Sequence, residues 1–273
     1  MIVVRSFGDR ILLGDYQVHS RFAKAVNFIQ DDRLICLVDP QIGGGPINIV
    51  VSALDFTQTF SLHVDKDWFS CGETILPKRP LYLSGFPAGS IDPAGLQRGL
   101  NQLEKRLKNT HPKSLSFLIA PRNNFSSAFD QAFAARISNG LRELRRGNLE
   151  AGASVLRGSG FGLTPSGDDF LAGWLWGLHA AQKFFNTDLS AEIERIFSSA
   201  KSSNPLSAAF LRCAREGRCF EPLQNLLKAL MRGDNAQLDL AITQLLASGE
   251  TSGADTAVGF LMSLKKEEQV LCL

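Results

Sequence analysis

Gly158-Ser159-Gly160-Phe161-Gly162-Leu163-Thr164-Pro165-Ser166-Gly167-Asp168-Asp169 runs straight into Phe170-Leu171-Ala172-Gly173-Trp174-Leu175-Trp176-Gly177-Leu178. Three alternating glycines, three hydroxyls and two adjacent carboxylates stand ahead of a helix-length apolar run. The pattern returns 86 residues later, where Ser252-Gly253-Ala254-Asp255, Gly259-Phe260-Leu261-Met262 and Leu264 align without gaps on Ser166–Asp169, Gly173–Trp176 and Leu178. Two related helix starts are therefore expected to converge. The helix after Asp169 is apolar almost all round, the mark of a central buried helix.

Working outward, the chain from Ser126 onward contains no convincing strand. Helical segments are expected near 168–185, 189–201, 205–216, 221–232, 235–247 and 254–266, after earlier helices around Phe129–Leu144 and Leu149–Leu156. Asn186-Thr187, Ser202–Pro205, Gly217, Gly233-Asp234 and Ser248-Gly249 punctuate them. Residues 1 to about 85 read differently. Ile2–Val4, Ala25–Ile29, Leu34–Val38 and Ile47–Val51 are rich in branched residues and separated by turn clusters, so they predict short strands in a small barrel or bent antiparallel sheet. Gly43-Gly44-Gly45-Pro46 is read as a turn between strands. Asp92-Pro93 opens a helix with an apolar stripe to Leu107, Leu115–Ile119 is a further strand candidate, and Pro121–Asn124 is the expected boundary. The fold class is α+β: a strand-rich domain with one helix over 1–122, then a helical bundle over 123–273 holding two pseudo-repeated central helices.

Composition excludes more than it selects. With 273 residues, 44% apolar and 21% charged, the chain can bury a full core. A net charge of +2 gives no case for nucleic acid or a membrane surface. Five irregularly spaced cysteines indicate neither a disulfide framework nor a zinc ribbon, and no signal pattern opens the chain, so a reduced, cytoplasmic protein is expected. Gly158-x-Gly160-x-Gly162 has neither the spacing of a dinucleotide fingerprint nor the Gly-Lys-Ser/Thr of a P-loop. His179 is expected as a hydrogen-bonded core residue of the central helix, and Ser202–Ser207 as an ordinary helix start.

Ser-x-x-Asp at 166/169 and 252/255 has the spacing of a capping box, worth about 1 kcal/mol apiece. Three features exceed capping. The alternating glycines are a poor choice for a mere connector. Asp168 and Asp169 put two charges at one buried helix start. Gly173 and Gly259 lie inside apolar helices at a cost of roughly 1 kcal/mol each, which close helix–helix contact would offset. A crossing there brings both N-termini to one site. Backbone amides with Gly160, Gly162, Thr164, Ser166, Gly167, Thr251, Ser252 and Gly253 would then bind a small anionic carboxylate, phosphate or carbamoyl compound. Asp168, Asp169 and Asp255 are the candidate catalytic residues. Asp168 is the first choice for proton acceptor, and Asp168 with Asp169 for holding a divalent metal ion.

Gly160–Asp169 together with Gly249–Thr256 resembles the AllH-like family, and Ser207 and Leu211 extend the resemblance. Glu250 stands where that family often has histidine. The resemblance implies a subunit of oxamate carbamoyltransferase in purine and allantoin catabolism. Such a subunit moves a carbamoyl group between carbamoyl phosphate and a small oxo-acid amide such as oxamate or oxalurate. It also implies partner subunits related to acyl-CoA synthetases, and a homo-oligomer is a further expectation. Two rival functions stand beside it: a non-catalytic interaction subunit, and a metal-dependent carboxylase or decarboxylase.

Overall fold

The structure, a computed structural model, describes residues 2–57, 61–120, 125–160 and 162–271. The chain forms two compact units, one of residues 1–86 with 218–224 and one of 87–217 with 225–273. The expected boundary at Pro121–Asn124 lies outside the described residues. The helix after Asp92, grouped with the strands in the sequence, belongs to the helical unit.

In the first unit, β1 (Val3–Gly8), β2 (Gly14–Phe22), β3 (Ala25–Gln30), β4 (Arg33–Val38), β5 (Asn48–Ser52), β6 (Leu62–Val64), β7 (Trp68–Cys71), β8 (Thr74–Pro77) and β9 (Leu81–Tyr82) make one sheet. Its order is β8-β7-β6-β2-β3-β4-β5-β1-β9, and it curls into a half-barrel. Register shifts in β1 between Val4 and Ser6, and in β2 between Val18 and Ser20, are the bulges that bend such a sheet. Phe7, Phe28, Ile35, Leu37, Ile49 and Phe69 belong to its buried core. The four strands expected from branched residues are β1, β3, β4 and β5; the antiparallel sheet is in fact mixed, because β4–β5 and β1–β9 pair in parallel.

Gly43–Pro46 is a turn, and the chain itself covers it. Gly44 N–H donates to Glu221 Oε2 at 2.5 Å, and Glu221 N–H returns a bond to Gly44 O at 2.8 Å. A side chain at Gly44 would meet the Tyr82 ring at 2.5 Å, and one at Gly45 would meet the Phe220 ring at 2.4 Å. Close packing, with no ligand, accounts for these glycines.

The second unit carries α1 (Pro93–Leu107), a 3-10 turn (Leu115–Leu118), α2 (Ala128–Arg145), α3 (Leu149–Leu156), α4 (Ser166–Phe185), α5 (Ser190–Ser199), α6 (Pro205–Arg215), α8 (Asn235–Leu246) and α9 (Ser252–Leu271). It also holds α7 (Glu221–Arg232) from Asn225 onward. Leu115–Ile119 is thus a correction: the expected strand is a 3-10 turn. Ser114 caps it by accepting from Ser116 N–H, and the apolar run is too short to declare its period.

Central helices α4 and α9 pack along each other. Every residue of α4 from Ser166 to Leu178 is buried. A Cβ on Gly173 would lie 2.0 Å from Thr256 O, and one on Gly259 would lie 2.0 Å from Phe170 O. Shifted by 86 residues these are the same contact, so the helices are related by a local two-fold. The glycines mark the crossing, as the sequence predicts. His179 is hydrogen-bonded as expected, with Nε2 2.9 Å from Arg215 O, but it is half-buried at the edge of the core instead of within it. Among the described residues no helix is long and apolar enough to cross a membrane.

Candidate functional site

The two helix starts meet. Pro165 takes the cap position of α4 without a side-chain bond, which leaves Ser166 as the first helical residue and Asp169 one place too deep for a capping box. Freed from capping, the buried Asp169 carboxylate faces the start of α9. Thr164 Oγ1 donates to Asp169 Oδ2 at 2.9 Å, and Thr164 Oγ1 stands 3.2 Å from Ser252 Oγ on the first residue of α9. Ser252 hydroxyl acts on the Asp169 carboxylate as well. In the reciprocal direction, Ser166 and Thr251 hydroxyls face Asp255. Each aspartate thus addresses the serine of the other copy.

Burial dominates the electrostatics. Asp169 is 5% exposed, and its carboxyl is pushed up to about 7 by desolvation; the hydroxyls of Ser252 and Thr164 oppose this, while Asp255 and Asp168 add to it. Asp255 is fully buried, and desolvation lifts it to about 6 against the Leu115 N–H and the hydroxyls of Ser166 and Thr251. Leu115 N–H donates to Asp255 Oδ1 at 2.6 Å. Asp255 Oδ2 has no hydrogen-bond partner among the described residues. The Ser166 and Thr251 hydroxyls are near enough to pull the Asp255 pKa down against burial, yet neither reaches Oδ2 at bonding geometry.

Asp168 has a different task. Its Oδ1 accepts from Gly158 N–H at 2.7 Å and its Oδ2 from Ser202 Oγ at 3.0 Å. Both oxygens bind the glycine loop and the turn before α6 to the start of α4. Gly160 and Gly162 have φ of +119° and +97°, a region that demands glycine, and a Cβ on Gly160 would come 2.7 Å from Ser166 N. Gly167 and Gly253 are again a matched pair. Their amides donate to Ser159 O at 2.7 Å and to Ser248 O at 2.9 Å, and a Cβ would meet Leu156 O at 2.0 Å and Leu245 O at 1.9 Å. Phe161 lies outside the described residues.

Sequence reasoning undervalued Ser202–Ser207. Asn204 does cap α6, accepting from Leu206 and Ser207 N–H, but its Nδ2 also donates to Leu163 O at 2.7 Å. With Ser202 on Asp168, this segment is a third wall of the glycine loop. The pairing of polar side chains with glycine-rich loops is the only signal that could have found it. Among the described residues no three His, Cys, Asp or Glu side chains stand together as a metal site. A surface groove lined by Asn225, Lys228, Arg232, Asp234 and Gln244 shares no residue with the helix starts.

Residues 156–264 match the family model described as oxamate carbamoyltransferase subunit AllH, and residues 4–82 match the AllH family N-terminal domain. The chain belongs to the AllH family. Both helix starts, the glycine loop and the α6 wall fall inside the first match, while the second covers the curled sheet up to β9. The family is named for a subunit, which implies partner subunits. No solved structure matches the chain.

Proposed function

We propose that this chain is the subunit of an oxamate-carbamoyltransferase-type enzyme that binds a small amide or carboxylate substrate between the starts of α4 and α9. The observation that carries this reading is the reciprocal meeting of Asp169 and Asp255 with the serines of the opposite copy. Caps alone have no reason to exchange partners across two helices. In carbamoyl transfer an amide nitrogen attacks the carbonyl carbon of carbamoyl phosphate. A C–N bond forms, the C–O bond to phosphate breaks, and the nitrogen gives up a proton. A carboxylate raised to about 7 is matched to accept that proton at neutral pH. Asp169 therefore takes the acceptor role assigned to Asp168 in the sequence, because both Asp168 oxygens are engaged in holding the loop. Thr164 and Ser252 orient Asp169, and the glycine loop sets the mouth of the site. Partner subunits of the acyl-CoA synthetase type supply what this chain lacks.

Asp169→Asn is expected to abolish synthesis of oxalurate from oxamate and carbamoyl phosphate in the reconstituted complex, with the circular dichroism spectrum retained and a melting transition no lower than the parent's. A variant as active as the parent would remove Asp169 from the chemistry. Activity of the isolated chain, compared with the chain plus its co-purified partners, separates a self-sufficient enzyme from a subunit.

A further inference from the structure

We propose that Asp255 Oδ2 is the acceptor for an N–H of the bound ligand, so that Asp255 is the residue by which this site selects a primary amide or urea-type group over an isosteric carboxylate. The inference rests on the reading that a small ligand enters between the two helix starts, and it adds which chemistry that ligand must present.

Paired helix N-termini ordinarily offer unpaired amides to an anion. Here those amides are largely engaged. Gly167 N–H donates to Ser159 O at 2.7 Å, Asp168 and Asp169 N–H to Pro165 O at 2.9 and 3.1 Å, Gly253 N–H to Ser248 O at 2.9 Å and Asp255 N–H to Thr251 O at 2.9 Å. Asp168 and Asp255, both buried, each press on the buried Asp169 carboxyl with like charge. The cluster is rich in acceptors and poor in donors, which repels a second carboxylate.

Asp255 sharpens this. One oxygen is satisfied by Leu115 N–H; the other is sealed from solvent, and no donor reaches it among the described residues. Above pH 6 or so the group is ionised, and an unmet buried carboxylate oxygen is costly. An incoming N–H removes that cost. A carboxylate ligand brings lone pairs where a donor is required, and sites built to hydrogen-bond a substrate reject the analogue that lacks the group. Thr251 and Ser252 are only half-buried, so the cluster reaches the surface at the start of α9.

The test is calorimetric titration of the full chain at pH 8 with oxamate and oxalate, repeated with acetamide, urea and acetate, for the parent and for Asp255→Asn. Asparagine can keep the Leu115 bond through its carbonyl while turning the other position from acceptor to donor. The parent is expected to bind oxamate at least ~10-fold more tightly than oxalate, and Asp255→Asn to lose or invert that ratio. Equal binding of the two by the parent, or a preference unchanged in Asp255→Asn, overturns the assignment while leaving carbamoyl transfer intact. Binding of urea or acetamide that depends on Asp255, with oxamate ignored, upholds the assignment and removes oxamate as substrate. Silence from every probe overturns both. The parent's own ratio needs no variant, so a poorly folded Asp255→Asn does not rescue the idea.

Discussion

The starts of α4 and α9 are one design used twice, and they differ where it matters. Both place serine first, glycine second and aspartate fourth; both press that glycine against a carbonyl of the preceding helix, at 2.0 and 1.9 Å from an added Cβ. Hydroxyls from both copies face each aspartate, yet Asp169 accepts a bond from Thr164, whereas Asp255 accepts from a backbone amide on one oxygen and has no partner among the described residues on the other. Position 168 carries an aspartate that fastens two loops; its counterpart is Ala254. Packing kept the duplicated positions alike, and the polar positions diverged. The scaffold is symmetric and the chemistry is not.

The shared part breaks hardest. Gly173→Ala and Gly259→Ala each force a methyl within 2.0 Å of a backbone oxygen on the facing helix. Neither helix can yield without parting the core, so each is expected to cost more than about 4 kcal/mol in urea denaturation, and to similar extents. Gly177→Ala meets Phe260 O at 2.7 Å and should cost less. Tolerance at Gly259 with collapse at Gly173 would dissolve the local two-fold.

That part was also the most legible. Glycine inside an apolar run has few explanations, and two such glycines 86 residues apart have fewer. The helices were readable from their stripes and breakers, and β1, β3, β4 and β5 from branched residues. Gly14–Phe22 was not, because Tyr16 is its one deeply buried side chain; β9 is two residues long. The return of residues 218–224 to the strand unit depends on pairings such as Cys219 N–H with Ser84 O at 2.8 Å, distant in sequence and silent in composition. At the site, capping box and cross-helix pairing share one spacing. Pro165 decides between them by taking the cap itself.

The unlike aspartates can be separated by pH. Both have folded values raised above the ordinary carboxyl value of 3.8, to about 7 for Asp169 and about 6 for Asp255. Between 3.8 and those values the folded state holds protons that the unfolded state has released, so stability falls as pH rises, and the loss is complete above about 7. The pair should contribute a decline on the order of a few kcal/mol between pH 4 and 8. Asp169→Asn is expected to flatten the slope between about 6 and 7 and to reduce it below that, whereas Asp255→Asn reduces it only below about 6, in denaturation followed at half-unit intervals. A slope untouched by either variant would mean the carboxyls stay hydrated.

Asp168 has no working counterpart, so its loss should be felt on one side only. Asp168→Ala leaves Gly158 N–H and the Ser202 hydroxyl without their acceptor, a cost of roughly 2 kcal/mol, and frees the glycine loop. Proteolysis should then cut first between Gly158 and Thr164, whereas Ala254→Ser leaves the pattern of cutting unchanged. Early cleavage elsewhere would show that other contacts hold the loop.

Asn204 gives the smallest and most discriminating change. It caps α6 through Oδ1 and holds Leu163 O through Nδ2 at 2.7 Å, two tasks for one side chain. Asn204→Asp keeps the cap and deletes the donor; Asn204→Ala deletes both. Capping is worth about 1 kcal/mol, so the alanine variant should lose that stability and the aspartate variant little of it. If the glycine loop shapes the ligand site, both variants should weaken ligand binding alike, because both release Leu163. Weakened binding in the alanine variant alone would assign the effect to α6, and the wall beside the loop would be only a helix start.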